Sequence, residues 1–279
     1  MPHQKPKSVS IITPTFNRPE ALICNLMGLR QQIDLPEGLK VEIVVADDGS
    51  GEPTRQLVET QKIDHPFQIK HAWHEDKGFR LAKIRNAALR MSEGEYIIFL
   101  DEDCVPSPDW LKNHLNLAEP GWFVAGNRIL LNQDFTKLAT ADPKRQFMHY
   151  SAWDWFLAYL KGFSNRPFPH LRLPGVWWRR LRPTKWQVLK GCNMGIWRED
   201  LVAVNGFAED MEGWGHEDAH FAVRLIRLGR RLKDGRFSVP VFHLWHKQND
   251  RSKEEENRKK LQAMLNSDEI RVKAGLVYE

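Results

Sequence analysis

Four groups of polar residues in this chain have the types and the spacing to do chemistry. The first is Asp101-Glu102-Asp103, directly after the apolar run YIIFL at 96–100. Adjacent carboxylates repel one another unless a cation lies among them, and alternate ones can reach a single hard divalent metal. A solvated turn or a helix cap is the plainer alternative, but the position after a buried strand favours the metal. The second is Asp47-Asp48-Gly49-Ser50, after the run VEIVVA. Asp48 could accept from a base N–H or a ribose hydroxyl and Gly49 permits a tight turn, although alone the four read as an ordinary turn.

The third group is MEGWGHED at 211–218, leading into AHFAVRLIRLG. Its glycines let the backbone approach a ligand and leave the face of Trp214 free. Asp218 at a helix start is kept ionised by the helix dipole and able to accept a proton. A capping acid beside a buried tryptophan is the alternative. The fourth is His243-x-x-His246 after a strand. Imidazoles beside a carboxylate site form a mixed nitrogen and oxygen ligand set that Mn²⁺ accepts, whereas a lone structural histidine is the plainer reading of either one.

The elements that must position these groups follow from hydrophobic patterning. Short β-branched or apolar runs predict strands at 8–15, 41–46, 67–72 and 96–100. Helical spacing predicts helices at 19–32, with Asn17 as cap and Pro19 in the first turn, and at 53–62 and 79–92. Strands alternating with helices imply an α/β fold with a mostly parallel sheet, whose ligands bind at the carboxyl ends of the strands. After residue 105 the rhythm breaks. Segment 140–189 has no clean period, and 166–186 reads as a long loop or short helical excursion. Order returns at 188–197, then a helix near 217–229, a strand at 237–242 and a charged tail with a surface helix at 251–266.

The chain has 279 residues, a net charge of +5 and 42% hydrophobic residues, ordinary for a soluble globular protein with a real core. No apolar stretch reaches membrane-spanning length, and MPHQKPKSVSIITPT lacks the apolar core of a secretory signal, so a cytoplasmic protein is expected. Cys24, Cys104 and Cys192 are widely spaced with no CxxC, which argues against disulfides or a cysteine zinc site. Of eleven tryptophans, about half are expected in the core and the rest at sugar-binding or interface positions. Arg166, Arg172, Arg179, Arg180, Arg182 and Lys185 interleave with Trp177, Trp178 and Trp186. Such a segment could hold an acidic glycan or lie on the anionic inner face of a membrane, and is otherwise an irregular surface loop.

The motifs SIITPTFNRPEAL, VVADDGS, DKGFRLAKIRNAAL and FLDEDC together resemble the inverting family 2 glycosyltransferases of the GT-A fold. GCNMGIWREDL, GFAEDMEGWGHEDAHFAVRL and HLWH resemble the β-1,4-galactosyltransferase and chondroitin-polymerase type. The resemblance spans roughly residues 8–130 and 188–247 in the right order, and 131–187 lies outside it. It implies a single catalytic domain made of a nucleotide-sugar-binding half (1–130), a Trp/Arg-rich insertion (131–187), an acceptor and metal half (188–250) and a charged tail (251–279).

The resemblance also implies residue roles. Pro14, Thr15, Phe16, Arg18 and Glu102 would border the nucleotide, with Asp48 at the uracil and Gly78 and Arg85 beside the same pocket. Asp101 would meet the ribose or donor sugar. Asp103 and His246, with His243 as the less certain ligand, would bind Mn²⁺ or Mg²⁺. Trp214 would stack on the acceptor sugar, Glu217 would hold an acceptor hydroxyl, and Gly191 and Asn193 would line the substrate side. Asp218 would be the general base of a single inverting displacement. The expected donor is a UDP-sugar such as UDP-Gal, UDP-GalNAc or UDP-Glc. The expected acceptor is a saccharide, lipid-linked in the setting of cell-surface polysaccharide or lipopolysaccharide synthesis. Nucleic acid is not an expected partner, and the sequence assigns no oligomeric state. One rival reading is a nucleotidyltransferase, which usually needs a glycine- and lysine-rich phosphate loop that TPTFNRP is not. The other is a non-catalytic glycan- or nucleic-acid-binding module, against which stand the clustered acids.

Overall fold

The computed structural model describes residues 5–144, 147–173 and 177–277. The chain begins with three strands in parallel register, β1 (Ser8–Thr15), β2 (Lys40–Asp47) and β3 (Gln68–Trp73), linked by helices α1 (Pro19–Arg30) and α2 (Glu52–Asp64). Helix α3 (Leu81–Met91) leads to β4 (Tyr96–Leu100), which pairs in parallel with β1 on its other side. Pairing of β1 with β4 ends at Ile12. Pro14, which has no N–H, therefore lies past the last rung on that side.

Beyond β4 the predicted loss of rhythm is not loss of structure. There follow β5 (Cys104–Pro106), α4 (Trp110–Leu117), β6 (Trp122–Ala125), β7 (Asn127–Leu130), α5 (Gln133–Ala141) and α6 (Ala152–Leu160). Then come β8 (Asn193–Trp197), α7 (Arg198–Ala203), α8 (Glu217–Arg227), β9 (Arg231–Asp234), β10 (Pro240–His243) and α9 (Glu254–Leu265). The main sheet runs β3-β2-β1-β4-β8-β6-β9, mostly parallel, with β8 antiparallel to both neighbours. A small sheet, β5-β10-β7, stands beside it. Strand order reverses between β1 and β4, so the crevice expected of an open α/β sheet opens at their carboxyl ends.

Alternation along the strands explains the two faces. Tyr96, Ile98 and Leu100 of β4 join Leu22 and Leu26 of α1 and Trp110 and Leu111 of α4 in one cluster. Ile97 and Phe99 join Ile84 and Leu89 of α3 and Phe221 and Leu225 of α8 in another. A third cluster lies outside the small sheet, where Trp155 of α6 stacks on Phe242 of β10 at 4.7 Å between centroids and 9° between planes.

Several expectations need correction. Arg18, not Asn17, is the N-cap of α1. Asn17 takes a left-handed φ of 51° and accepts from Gly51 N, tying β1's loop to the turn after β2. Only Trp110, Trp155 and Trp197 of the tryptophans are buried. Trp73 and Trp122 sit at the ends of strands β3 and β6 near the margins of the main sheet, Trp153 is on the outer side of α6, and the rest lie in 3₁₀ turns and loops. The loop at 166–186 contains short 3₁₀ turns at Trp178–Arg180 and Trp186–Val188, and its residues 174–176 fall outside the described residues. All three cysteines are free and buried. No helix among the described residues is long and apolar enough to cross a membrane.

Candidate active site

The carboxyl ends of β1, β2 and β4 meet in one crevice. Asp101, Glu102 and Asp103, just past β4, do not share one environment. Asp101 accepts from Arg85 Nη2 at 3.0 Å. Glu102 turns toward β1, accepting from the Thr15 hydroxyl and, at 3.3 Å, from Phe16 N. Asp103 faces Arg18 Nη1 at 3.1 Å, His246 Nε2 at 3.3 Å and His243 Nε2 at 3.6 Å. Mutual repulsion of three acids is thus relieved by different partners, with Arg18 shared between Asp103 and, at 3.5 Å, Glu102. Burial lifts Glu102 to about 8 against the pull of Arg18 and Thr15. Burial also raises Asp101, against Arg85. Burial would raise Asp103 too, but His243, Arg18 and His246 outweigh it and hold it below the ordinary carboxylate value.

The histidines reach Asp103 because β10 runs antiparallel to β5, with His243 opposite Cys104. Leu244 N donates to the Asp103 carbonyl at 2.8 Å, which fixes the chain between the two imidazoles. Ligand atoms of Asp103, Cys104 and His243 all lie within 4.8 Å of one another. The carboxylate and two imidazoles suit a divalent ion of Mn²⁺ or Mg²⁺ type, so His243 is as well placed as His246. Cys104 was not expected here; its place one residue after Asp103 was the available signal.

Asp48 Oδ2 accepts from Arg80 N at 2.8 Å, and Asp48 Oδ1 meets His74 Nε2. Gly49 has a φ of 104°, and a Cβ there would lie 2.5 Å from the backbone of Asp76, so only glycine lets the two loops touch. His74 and Arg80 were missed, although both flank the DKGF string. Gly78 is exposed, with its N–H on Asp76 Oδ1 at 3.0 Å.

The acids of α8 meet this crevice through Arg85. Its buried guanidinium reaches Glu217 Oε1 at 3.5 Å and the Gly191 carbonyl at 3.3 Å, as well as Asp101. Gly191 N donates to Asp218 Oδ2 at 3.0 Å, and Ala219 N to Asp218 Oδ1 at 2.7 Å. His216, at a left-handed φ of 69°, is the N-cap that starts the helix there. Burial and the neighbouring Asp218 lift Glu217 to about 7 despite Arg85. Trp214 is half-buried and carries the Arg251 guanidinium 4.4 Å from its ring centroid.

Two expected substrate residues do other work. Asn193 is fully buried, and its side chain bonds His114 Nε2, Trp110 Nε1 and the carbonyls of Asn127 and Val239. Its oxygen and both amide hydrogens are committed to the core, so it lines no substrate surface. Gly191 is buried as well. A Cβ on it would press on Arg85 at 3.2 Å and Asp218 at 3.4 Å, so the glycine makes room for those two side chains.

A sheet whose strand order reverses between β1 and β4, with an acid cluster and two imidazoles at that point, is the arrangement of a GT-A fold. Among solved structures, the chain is similar to Staphylococcus aureus TarS residues 1–349 in complex with UDP, with a TM-score of 0.62, 17% identity and coverage of 94% of this chain and 65% of that one. It is likewise similar to a Pyrobaculum calidifontis mannosyltransferase in complex with GDP-Man and Mn²⁺, with a TM-score of 0.58, 22% identity and coverage of 88% and 59%. The glycosyl transferase family 2 model matches residues 10–172, more than half of the chain, and the chain belongs to that family. The match runs through 131–172, which motif resemblance alone had left out. Residues 182–247 match the N-terminal domain of galactosyltransferase. Escherichia coli chondroitin synthase is 25% identical over 240 residues, covering 79% of this chain. The chain spans 32% of that relative's length.

Proposed function

We propose that this chain is a metal-dependent, inverting glycosyltransferase that moves a hexose or N-acetylhexosamine from a UDP-sugar to a hydroxyl of a saccharide acceptor. The observation that carries this reading is the Arg85 guanidinium, which joins Asp101 on the β4 side to Glu217 and the Gly191–Asp218 pair on the α8 side. It brings a nucleotide-side acid and two acceptor-side acids into one site.

Residues 1–130 form the donor half. Phe16 and Arg18 border the nucleotide on a loop shaped by Pro14, Thr15 and Glu102. Asp48, oriented by Arg80 N and His74, meets the base, with Gly78 beside it, and Asp101 meets the ribose or donor sugar. Asp103, His246 and His243 would hold Mn²⁺ or Mg²⁺, which when bound offsets charge on the departing diphosphate. Residues 188–250 form the acceptor half, with 131–187 inserted between the halves and 251–279 a tail. Trp214 packs on the acceptor ring and Glu217 holds a neighbouring hydroxyl. Asp218 takes the proton of the attacking hydroxyl as its oxygen bonds the anomeric carbon and the bond to the diphosphate breaks on the opposite face. An α-linked donor then gives a β-linkage. The likeness to a chondroitin synthase supports a polysaccharide as acceptor.

A screen of UDP-sugars with Mn²⁺ and no acceptor tests the reading. Slow UDP release from one donor, abolished by chelation, is expected. Release of pyrophosphate would make the chain a nucleotidyltransferase, and saccharide binding with no release from any donor would make it a binding module.

A further inference from the structure

Helix α6 has two apolar sides. Trp155 and Ala158 face inward and are buried against the small sheet. Trp153, Phe156, Leu157 and Leu160 recur at the spacing of a second helical stripe. Trp153 and Leu160 are each 64% exposed. The rings on this stripe extend each other. Trp153 stacks on Phe156 at 5.5 Å, and Phe156 stacks on Phe168 of the following loop at 5.9 Å and 9°. Leu171, with Phe168, Pro169 and His170, lines a hollow against Ala152 at the start of the helix. The helix is firmly set: Ser151 accepts from Asp154 N, and the Asp154 side chain accepts from Ser151 N in return. An exposed, contiguous apolar surface on a capped helix marks a contact site, not a frayed end.

Charge identifies what the surface meets. From Lys144 to Lys190 the sequence holds ten basic residues and one acid, Asp154. The whole chain is only +5, so the remainder is net acidic. Asp154 is committed to its cap. Lys161, directly after α6, and Arg166 are exposed and have no ion partner among the described residues.

We infer that the outer stripe of α6 docks on an anionic lipid bilayer, with Trp153, Phe156, Leu157, Leu160 and Phe168 entering the headgroup boundary and Lys161 and Arg166 meeting lipid phosphates. Apolar side chains beside basic ones fit an interface that is apolar below and negative above. A saccharide would stack on the rings but gains nothing from Leu157 and Leu160. A second copy of this chain would bring like-charged segments face to face.

The experiment sediments the full chain with vesicles of phosphatidylglycerol and phosphatidylcholine, without nucleotide or sugar, so its result is independent of the transfer reaction. Wild type should bind vesicles rich in phosphatidylglycerol and bind pure phosphatidylcholine at least about tenfold more weakly. Trp153→Ser with Leu160→Ser, and separately Lys161→Glu with Arg166→Glu, should each lose about tenfold or more in partitioning while keeping the wild-type thermal transition. Three results would overturn the inference: no binding to the anionic vesicles, unchanged binding by folded variants of both kinds, or binding to a soluble acidic polysaccharide or self-association that the apolar variant removes while vesicle binding persists. If the apolar variant fails to fold, the charge-reversed variant decides.

Discussion

The Asp101 carboxylate lies 3.0 Å from Nη2 of Arg85, a guanidinium that is itself buried in the centre of the molecule. The same cation reaches Glu217 and the Gly191 carbonyl, and Gly191 N holds Asp218. Residues more than a hundred positions apart are therefore fixed relative to one another by one side chain. Its planar, delocalised fork holds these acceptors at fixed relative angles, where a lysine would offer a point charge on a flexible stem.

Replacing Asp218 by Asn removes the proposed proton acceptor without changing its size. Turnover of the UDP-sugar with acceptor should fall by about 10²- to 10⁴-fold, with UDP affinity unchanged. Initial-rate assays of UDP release, paired with calorimetric titration of UDP, measure both. Turnover within a few-fold of wild type would remove Asp218 from the base role.

Glu217 gives a pH signature. In the folded chain burial and Asp218 keep it protonated up to about 7, against an ordinary value of 4.5. Between those values the folded state binds more protons than the unfolded one. Its contribution to stability is therefore fully present below about 4.5 and declines as pH rises through about 7. Glu217→Gln keeps the hydrogen-bonding shape and abolishes this loss. Thermal melts should show the variant gaining on wild type across that window, on the order of 3 kcal/mol by its upper end. A stability difference that is flat with pH would contradict the raised value.

Trp155→Ala should act at a distance. It empties the ring that stacks on Phe242, one residue before His243. A loss of about 3–5 kcal/mol is expected by denaturant titration. At temperatures where the variant stays folded, its apparent Mn²⁺ affinity should also fall, because β10 loses its outer support. Metal affinity equal to that of wild type would show that β5 and β7 alone hold the histidines.

The first half was legible because its strands are continuous β-branched runs whose ends coincide with polar turns, as in VEIVVA before Asp47. The second half was legible only in part: β8, α8, β10 and α9 fall where order was expected, while the short strands between them were not foreseen. β9 reads RLKD and resembles a surface turn, yet Lys233 is buried on Glu119 and the Leu117 carbonyl. β6 and β7 have four residues each, too few to display a period. Asn193 was misjudged for a related reason. Motif position put it near the substrate, but strand alternation turns its side chain toward Trp110 and His114. The pairing of acid with imidazole was legible only as residue types, since it depends on β10 crossing back to β5, a long-range pairing that no local pattern encodes.

The most direct test of the account is the coupling between Mn²⁺ and UDP. Calorimetric titration of UDP should show affinity rising by about tenfold or more with saturating Mn²⁺ in wild type and in Asp218→Asn. In Asp103→Ala that rise should vanish, and in His246→Ala it should shrink. A metal-dependent gain in UDP affinity that survives Asp103→Ala undiminished would contradict the account, because the ion would then be held elsewhere.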